Sequence, residues 1–189
     1  MKIGLICEYF PATEDREMRG GVEARTYFVG SRLAKDHDVT VYAIREDGFP
    51  DRGEVAGMDV IRCGPKTRYT QAGSMANRLR FMAAAARESR GGGLDIIDGT
   101  SIIGYPAAWW AHARAKVITY HDVWLGRWMA NVGPTGAFGE LMERYVLTRG
   151  WDGIIAVSDY TRGNLLASGV DERLVSVAKN GIDLAAYGK

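Results

Sequence analysis

Lys2-Ile3-Gly4-Leu5-Ile6-Cys7, a charged loop over residues 9–20, and then Gly20-Gly21-Val22-Glu23 form the stretch whose reading decides the fold. The first run is aliphatic almost throughout, as expected of a strand covered on both faces. It is far too short for a signal-peptide core or a membrane span. Beyond the paired glycines, Val22, Thr26, Val29 and Leu33 recur at helical spacing,. Strand, loop and helix in this order begin the alternation that builds a parallel sheet.

The alternation continues outward along the chain. Further strands are expected at 39–43, 59–62, 95–98, 117–120, 153–157 and 174–177, several of them nearly continuous Val and Ile,. Between them, Ala72, Met75, Leu79, Met82 and Ala86 mark one helix. Phe138, Leu141, Met142 and Tyr145 mark another, begun near Pro134, and His112 is placed on a Trp-bearing helix as a partly buried residue,. Ser158 or Asp159 is expected to cap a helix running to Ser168,. The pattern predicts an α/β fold: a Rossmann-like, doubly wound, mainly parallel sheet of about seven strands with helices on both faces. Residues 9–20, 45–57 and 122–133 read as loops. The first and third follow strand ends and fall on the edge where such sheets bind ligands. Gly91-Gly92-Gly93 reads as a helix C-cap and turn,.

A chain of 189 residues suits one domain, and 47% apolar with 25% charged residues is ordinary for a folded protein,. A formal net charge of +1 gives no reason to expect nucleic acid as a partner,. Cys7 and Cys63 are too few for a disulfide framework and fit small buried residues in a reducing cytoplasm,.

Few residues carry a chemical signal. Gly20-Gly21 reads two ways: a plain turn before a helix, or a place where backbone N–H groups and a helix N-terminus approach an anion. It is not the dinucleotide fingerprint, because G-x-G-x-x-G is absent after the first strand,. His37 sits in a helix-to-strand turn. His121 ends a strand and is followed by Asp122, so it reads either as a structural residue or as a functional group on the binding edge,. No histidine has a metal-ligand companion at helical spacing, and no G-x-S-x-G elbow is present,.

In order, these pieces resemble the family-4 retaining glycosyltransferases. The likeness runs through Gly20-Gly21-Val22-Glu23, then Leu33 to His37-Asp38-Val39-Thr40-Val41, then Asp95-Ile96-Ile97-Asp98. It continues through Thr119-Tyr120-His121-Asp122 and Ala156-Val157-Ser158-Asp159-Tyr160-Thr161, and ends at Asn180-Gly181-Ile182-Asp183. The resemblance implies the N-terminal, acceptor-side half of a GT-B fold, with residues 1–183 as the domain and 184–189 as the start of a linker. The donor-binding C-terminal domain would then be absent and the fragment inactive alone. It further implies a nucleotide sugar as donor substrate, a sugar or lipid-linked acceptor, no cofactor, no metal and a cytoplasmic enzyme acting with retention. His121 would touch the transferred sugar and serve catalysis, Gly20 and Gly21 would approach phosphate, and Glu23, Asp98 and Asp122 would lie along the acceptor edge.

Three departures bear on the acceptor side and its surroundings. Lys179 stands where the family usually has proline, Asp98 where many members have histidine, and the loop 9–20 is longer and more charged than usual. Two other readings remain beside the resemblance, a nicotinamide-binding oxidoreductase domain and a non-catalytic module binding sugar phosphates or nucleotides. A peripheral membrane contact is also expected from Arg78, Arg80, Arg87 and Arg90 on one amphipathic stretch, with Trp109, Trp110, Trp124 and Trp128 as aromatic anchors,.

Overall fold

A computed structural model describes residues 1–14, 18–69 and 74–181. Its first strand, β1 (Lys2–Ile6), is followed by α1 (Gly21–Leu33), β2 (Asp38–Glu46), β3 (Arg52–Val55) and β4 (Met58–Thr67). Then come α2 (Met75–Ser89), β5 (Leu94–Gly99), α3 (Gly104–Trp110) and β6 (Ala113–Tyr120). The chain continues through α4 (Trp128–Val132), α5 (Gly136–Leu147), β7 (Gly153–Ala156), α6 (Asp159–Ala167) and β8 (Val175–Val177). Ala72, Ile182, Asp183 and the expected linker 184–189 lie outside the described residues.

The eight strands form one sheet in the order β3-β4-β2-β1-β5-β6-β7-β8, parallel throughout except for β3 against β4. β3 is the departure from the expected seven. Residues 52–55 (Arg-Gly-Glu-Val) have three exposed positions out of four, so they lack the alternation that marks a strand,. They pair at the sheet edge through a tight reversal at Ala56 and Gly57, both at positive φ. The expected loop 45–57 is thus the end of β2, a turn and an edge strand, and the loop 122–133 contains the short helix α4.

β1 pairs in parallel with both β2 and β5. Its odd residues Ile3 and Leu5, with Cys7 just past its end, join Val39, Val41, Ala43, Met58 and Val60 beneath α1. Ile6 faces the other way, into the larger core shared with Tyr42, Phe81, Ile97, Tyr120 and Leu165 on the side of α2, α3, α5 and α6. The buried face of α1 is Glu23, Thr26 and Gly30, while Val29 is 40% exposed. Helical spacing located this helix correctly, but its inward face is polar at the end near the site. His37 occupies the expected turn, whereas His112 lies just past α3 and is exposed rather than helical and partly buried. Ser158 is the cap of α6, its Oγ accepting from the N–H of Thr161 at 3.0 Å,.

Close backbone contact sets the spacing of the central layers. A Cβ on Gly104, at the start of α3, would lie 2.5 Å from the carbonyl oxygen of Ile6 in β1. Backbone on both sides leaves no flexible side chain to give way, so Gly104→Ala is expected to cost about 1–3 kcal/mol of stability. Gly21 has nothing within 4 Å of such an atom, and Gly21→Ala should change stability by less than about 0.5 kcal/mol. Urea denaturation of the two variants checks the contrast.

Candidate functional site

Strands β1, β5 and β6 end on the same edge, where the chain winds away from β1 in both directions. The segments leaving these strands, together with the start of α1, line a cavity of about 600 Å³,. Gly20, Gly21, Glu23, His121 and Asp122 all line it, so residues a hundred positions apart converge as the strand-end argument requires. Asp98 is not among its lining residues; it lies beneath, with Oδ2 accepting from Thr119 Oγ1 at 2.7 Å.

The glycine turn is held from behind. Gly20 is the N-cap of α1, in an extended conformation open to any residue, so neither glycine is needed for backbone geometry. What the pair provides is space, since the first-turn N–H groups of a helix have no partner within it. Glu23, at the third helical position, reaches back past the N-cap to accept from the N–H of Arg19 at 2.9 Å. The Arg19 guanidinium also binds Glu23 and bridges to Glu46 at the end of β2, and both glutamates are 4% exposed. Tyr69 covers the guanidinium at 4.6 Å and donates its O–H to the Arg19 carbonyl at 3.1 Å. Glu23 therefore positions the turn and is already occupied. Arg62, 3% exposed, donates to the carbonyls of Phe10 and Pro11 and anchors the first part of the loop.

His121 has a buried Nε2 with no partner among the described residues. Burial, reinforced by the nearby charge of Arg25 and only partly opposed by a bond to the Thr100 backbone, brings its pKa down to about 4. The ring is neutral near pH 7. Asp98 is shifted the other way: burial raises its pKa to about 7 against the help of Thr119 and Arg25. Arg25 also ties the chain after β8 to α1, donating to Asn180 Oδ1 at 2.6 Å and to the Ala178 carbonyl at 3.1 Å. Asn180 is thereby held beside α1. Lys179 pairs with Asp159 at 2.5 Å.

The opposite wall depends on Glu143. Its carboxylate, 1% exposed, accepts from Tyr120 O–H at 2.9 Å, Trp124 N–H at 3.1 Å and Trp128 Nε1 at 2.6 Å. Burial raises its pKa in spite of these donors. Gly139 of α5 makes room for the Trp128 ring, which would lie 2.3 Å from a Cβ there. Asp122 accepts from the Val123 N–H at 2.8 Å and from Trp124 Nε1 at 3.0 Å, so it too is engaged in loop structure. Sequence reasoning missed Arg19, Arg25 and Glu143. Glu143 alone left a trace, as a carboxylate one residue from Met142 and three from Val146 on the inward face of α5.

Several of the residues expected to anchor a membrane are engaged within the fold. Trp124 and Trp128 line the cavity, Trp109 meets Trp151 edge-on at 5.4 Å, and Arg78 pairs with Glu8 at 2.8 Å in the cavity wall. Among the described residues no cluster of His, Cys, Asp or Glu could hold a metal ion, and no helix is long and apolar enough to cross a membrane.

A family model described as Glycosyltransferase Family 4 matches residues 19–186. No curated protein matches in sequence. Among solved structures, sucrose-phosphate synthase from Thermosynechococcus elongatus is similar with a TM-score of 0.72 at 19% identity, over 97% of this chain and 49% of that one. HepE from Anabaena in complex with UDP-glucose is similar with a TM-score of 0.60 at 16% identity, over 99% of this chain and 46% of that one. A putative UDP-N-acetylglucosamine 2-epimerase from Listeria monocytogenes gives 0.55 at 14% identity, over 92% and 43% of the two chains. At these identities the likeness establishes the fold, the N-terminal Rossmann-like half of a GT-B architecture. The chain spans about half the length of these three proteins.

The two shifted groups make opposite contributions to stability against pH. From pH 6.5 down to about 4 the unfolded chain protonates His121 while the folded chain does not, so this residue costs stability as pH falls,. From pH 3.8 up to about 7 the folded chain keeps Asp98 protonated while the unfolded chain ionises it, so Asp98 costs stability as pH rises,. Relative to the parent chain, Asp98→Asn should tilt stability upward between about pH 4.5 and 6.5, and His121→Gln should tilt it downward. Urea midpoints across that interval report both slopes.

Proposed function

The chain belongs to glycosyltransferase family 4, and on that premise we propose that it is the acceptor-binding half of a retaining enzyme that transfers sugar from a nucleotide-sugar donor. The observation that carries this reading is the convergence of Gly20, Gly21 and His121 on one cavity at the ends of β1, β5 and β6. In this reading the exposed N–H groups at the start of α1 face the donor diphosphate, where the helix dipole favours negative charge. The neutral His121 ring turns a hydrogen-bonding nitrogen toward a hydroxyl of the transferred sugar. The HepE structures that hold UDP and UDP-glucose support a nucleotide sugar as the donor.

Transfer with retention requires the acceptor oxygen to form its bond to the anomeric carbon on the face from which the diphosphate departs. The acceptor proton passes to the leaving phosphate oxygen as the sugar–phosphate bond breaks. No protein nucleophile or metal is part of this proposal. The chain's contribution is placement and electrostatic stabilisation of the departing charge. Glu143, with Trp124 and Trp128, shapes the wall against which an acceptor lies, and Asp122 and Asp98 order the strand end that carries His121. In this reading the departures at Asp98 and in the loop 9–20 fall on the acceptor side.

One wall of a cleft cannot hold a mobile nucleotide sugar within about 3–3.5 Å of an attacking oxygen. The described chain alone is therefore expected to give no detectable transfer, whereas a protein that joins it to a donor-binding domain should transfer sugar. Comparing the two by donor hydrolysis, acceptor transfer and UDP titration tests the reading. Full-rate transfer by this chain, or micromolar UDP binding to it, contradicts the assignment of the donor site to a second domain. In such a two-domain protein His121→Ala should lower kcat by about 10²-fold, comparable to losing one transition-state hydrogen bond. Steady-state kinetics on a correctly folded variant gives that number.

A further inference from the structure

Four described carboxylates line the cavity, and three of them have both oxygens occupied. Glu23 accepts from the Arg19 guanidinium on one oxygen and from the Arg19 N–H on the other. Asp122 is filled by the Val123 N–H and Trp124 Nε1, and Glu143 by Tyr120, Trp124 and Trp128. Glu8 differs. It lies two residues past β1, largely buried, with Oε1 accepting from Arg78 Nε at 2.8 Å. Its Oε2 receives no hydrogen bond from a described residue.

The surroundings say what that oxygen suits. Glu8 and Arg78 together carry no net charge, so the pair offers a directed acceptor rather than an attraction for cations,. A second recess of about 220 Å³ adjoins the cavity through Glu8, Tyr9 and Arg78 and is also lined by Thr67 and Asn77. Thr67 Oγ1 is buried there without a partner among the described residues. Arg68, at the rim, is open to solvent and lies 4.0 Å from Asp47. The other part of the cavity is aromatic, with Trp124 and Trp128 in its wall and Ile102 and Ile103 lining the same space. Arg78 belongs to α2 and Glu143, which holds the tryptophans, to α5; α3 packs against both helices. One cavity therefore joins a polar end near α2 to an apolar end near α5.

We propose that Glu8 binds a hydroxyl of the acceptor, and that the acceptor is a neutral sugar with a ring against the Trp124 and Trp128 wall. This rests on reading the cavity as an acceptor site. A hydroxyl is the uncharged donor that a carboxylate already paired with arginine still lacks. A phosphate or carboxylate group would bring a second anion against Glu8, and a purely apolar alcohol would leave the recess at Thr67 and Asn77 unfilled. A sugar ring has both an apolar face and an edge of hydroxyls. In the sheet, β1 and β6 are separated by β5 alone, two strand spacings or about 10 Å,. That leaves room for an acceptor ring between Glu8 and a sugar held at His121.

Titration of the ¹⁵N-labelled chain, following the indole N–H signals of Trp124 and Trp128 by NMR, tests the assignment. The probes are glucose, galactose, mannose, N-acetylglucosamine, rhamnose and myo-inositol, with glucose 6-phosphate and octanol for comparison. At least one neutral probe should shift both indole signals along a saturating curve, and bind more tightly than glucose 6-phosphate or octanol. Glu8→Gln, which keeps the size and removes the charge, should weaken that binding by about tenfold while the rest of the spectrum stays that of the parent chain. Lys179→Ala, outside the cavity, should leave it unchanged. Saturating shifts that Glu8→Gln does not weaken overturn the role of Glu8 and leave the cavity as an acceptor site. Tighter binding of glucose 6-phosphate or octanol overturns the acceptor class, as does a lack of response to every neutral probe. Shifts confined to residues outside the cavity contradict the acceptor reading itself.

Discussion

Parallel pairing of β1 with both β2 and β5 is the constraint on which the rest of the structure depends. The chain leaves β1 for β2 and β4 on one side and resumes with β5 on the other, so the strand order reverses at β1 and the segments leaving the adjacent strand ends diverge,. The crevice between them is a product of connectivity, formed before any side chain is chosen. Gly104 keeps α3 close to β1, and the threonine pair Thr26 and Thr100, linked at 3.1 Å, joins α1 to the end of β5 under the cavity floor. The geometry of the site therefore follows from which strand lies in the middle.

Charge is buried around this crevice in a consistent manner. Two nearly inaccessible glutamates, Glu23 and Glu46, share the single guanidinium of Arg19, and Glu143 is satisfied by three donors from the opposite wall. Each buried carboxylate is hydrogen-bonded to a segment that would otherwise be a free loop, as buried charge requires. The cost of taking these groups out of water is offset only while the loops keep their positions. The cavity walls are thereby fixed by polar contacts, whereas the sheet beneath is fixed by apolar packing. His121 and Asp98 differ in that each keeps a buried polar atom without a partner among the described residues. Such atoms are uncommon in a folded interior, and those of His121 and Asp98 lie at and just beneath the floor of the candidate site.

Much of this was legible in the sequence because buried parallel strands must be nearly continuous in Val and Ile. β1, β2, β5, β6 and β7 could be read that way, and Ser158 announced its helix through the chemistry of an N-cap. The convergence of Gly20-Gly21 with His121 followed from strand polarity alone. β3 was not legible, since Arg52, Gly53 and Glu54 are exposed on an edge and carry no alternation. Glu23 was read as an acceptor-edge group, and only the fold reveals that Arg19 already occupies it. Arg25 was invisible because its partners, Ala178 and Asn180, lie some 150 positions away, and no local pattern encodes that contact. The tryptophans at 124 and 128 resembled a membrane belt in sequence, yet the carboxylate that draws them inward belongs to a different helix.

The central claim is that Gly20, Gly21 and His121 form one ligand-facing site on this chain. The most direct measurement is a titration of the isotope-labelled chain with UDP-glucose, following the backbone amides of Gly20 and Gly21 and the ring of His121 by NMR. The account predicts weak binding in which the signals of all three residues shift together along one saturation curve. Shifts confined to other parts of the chain, or separate curves for the glycine amides and the His121 ring, would contradict it.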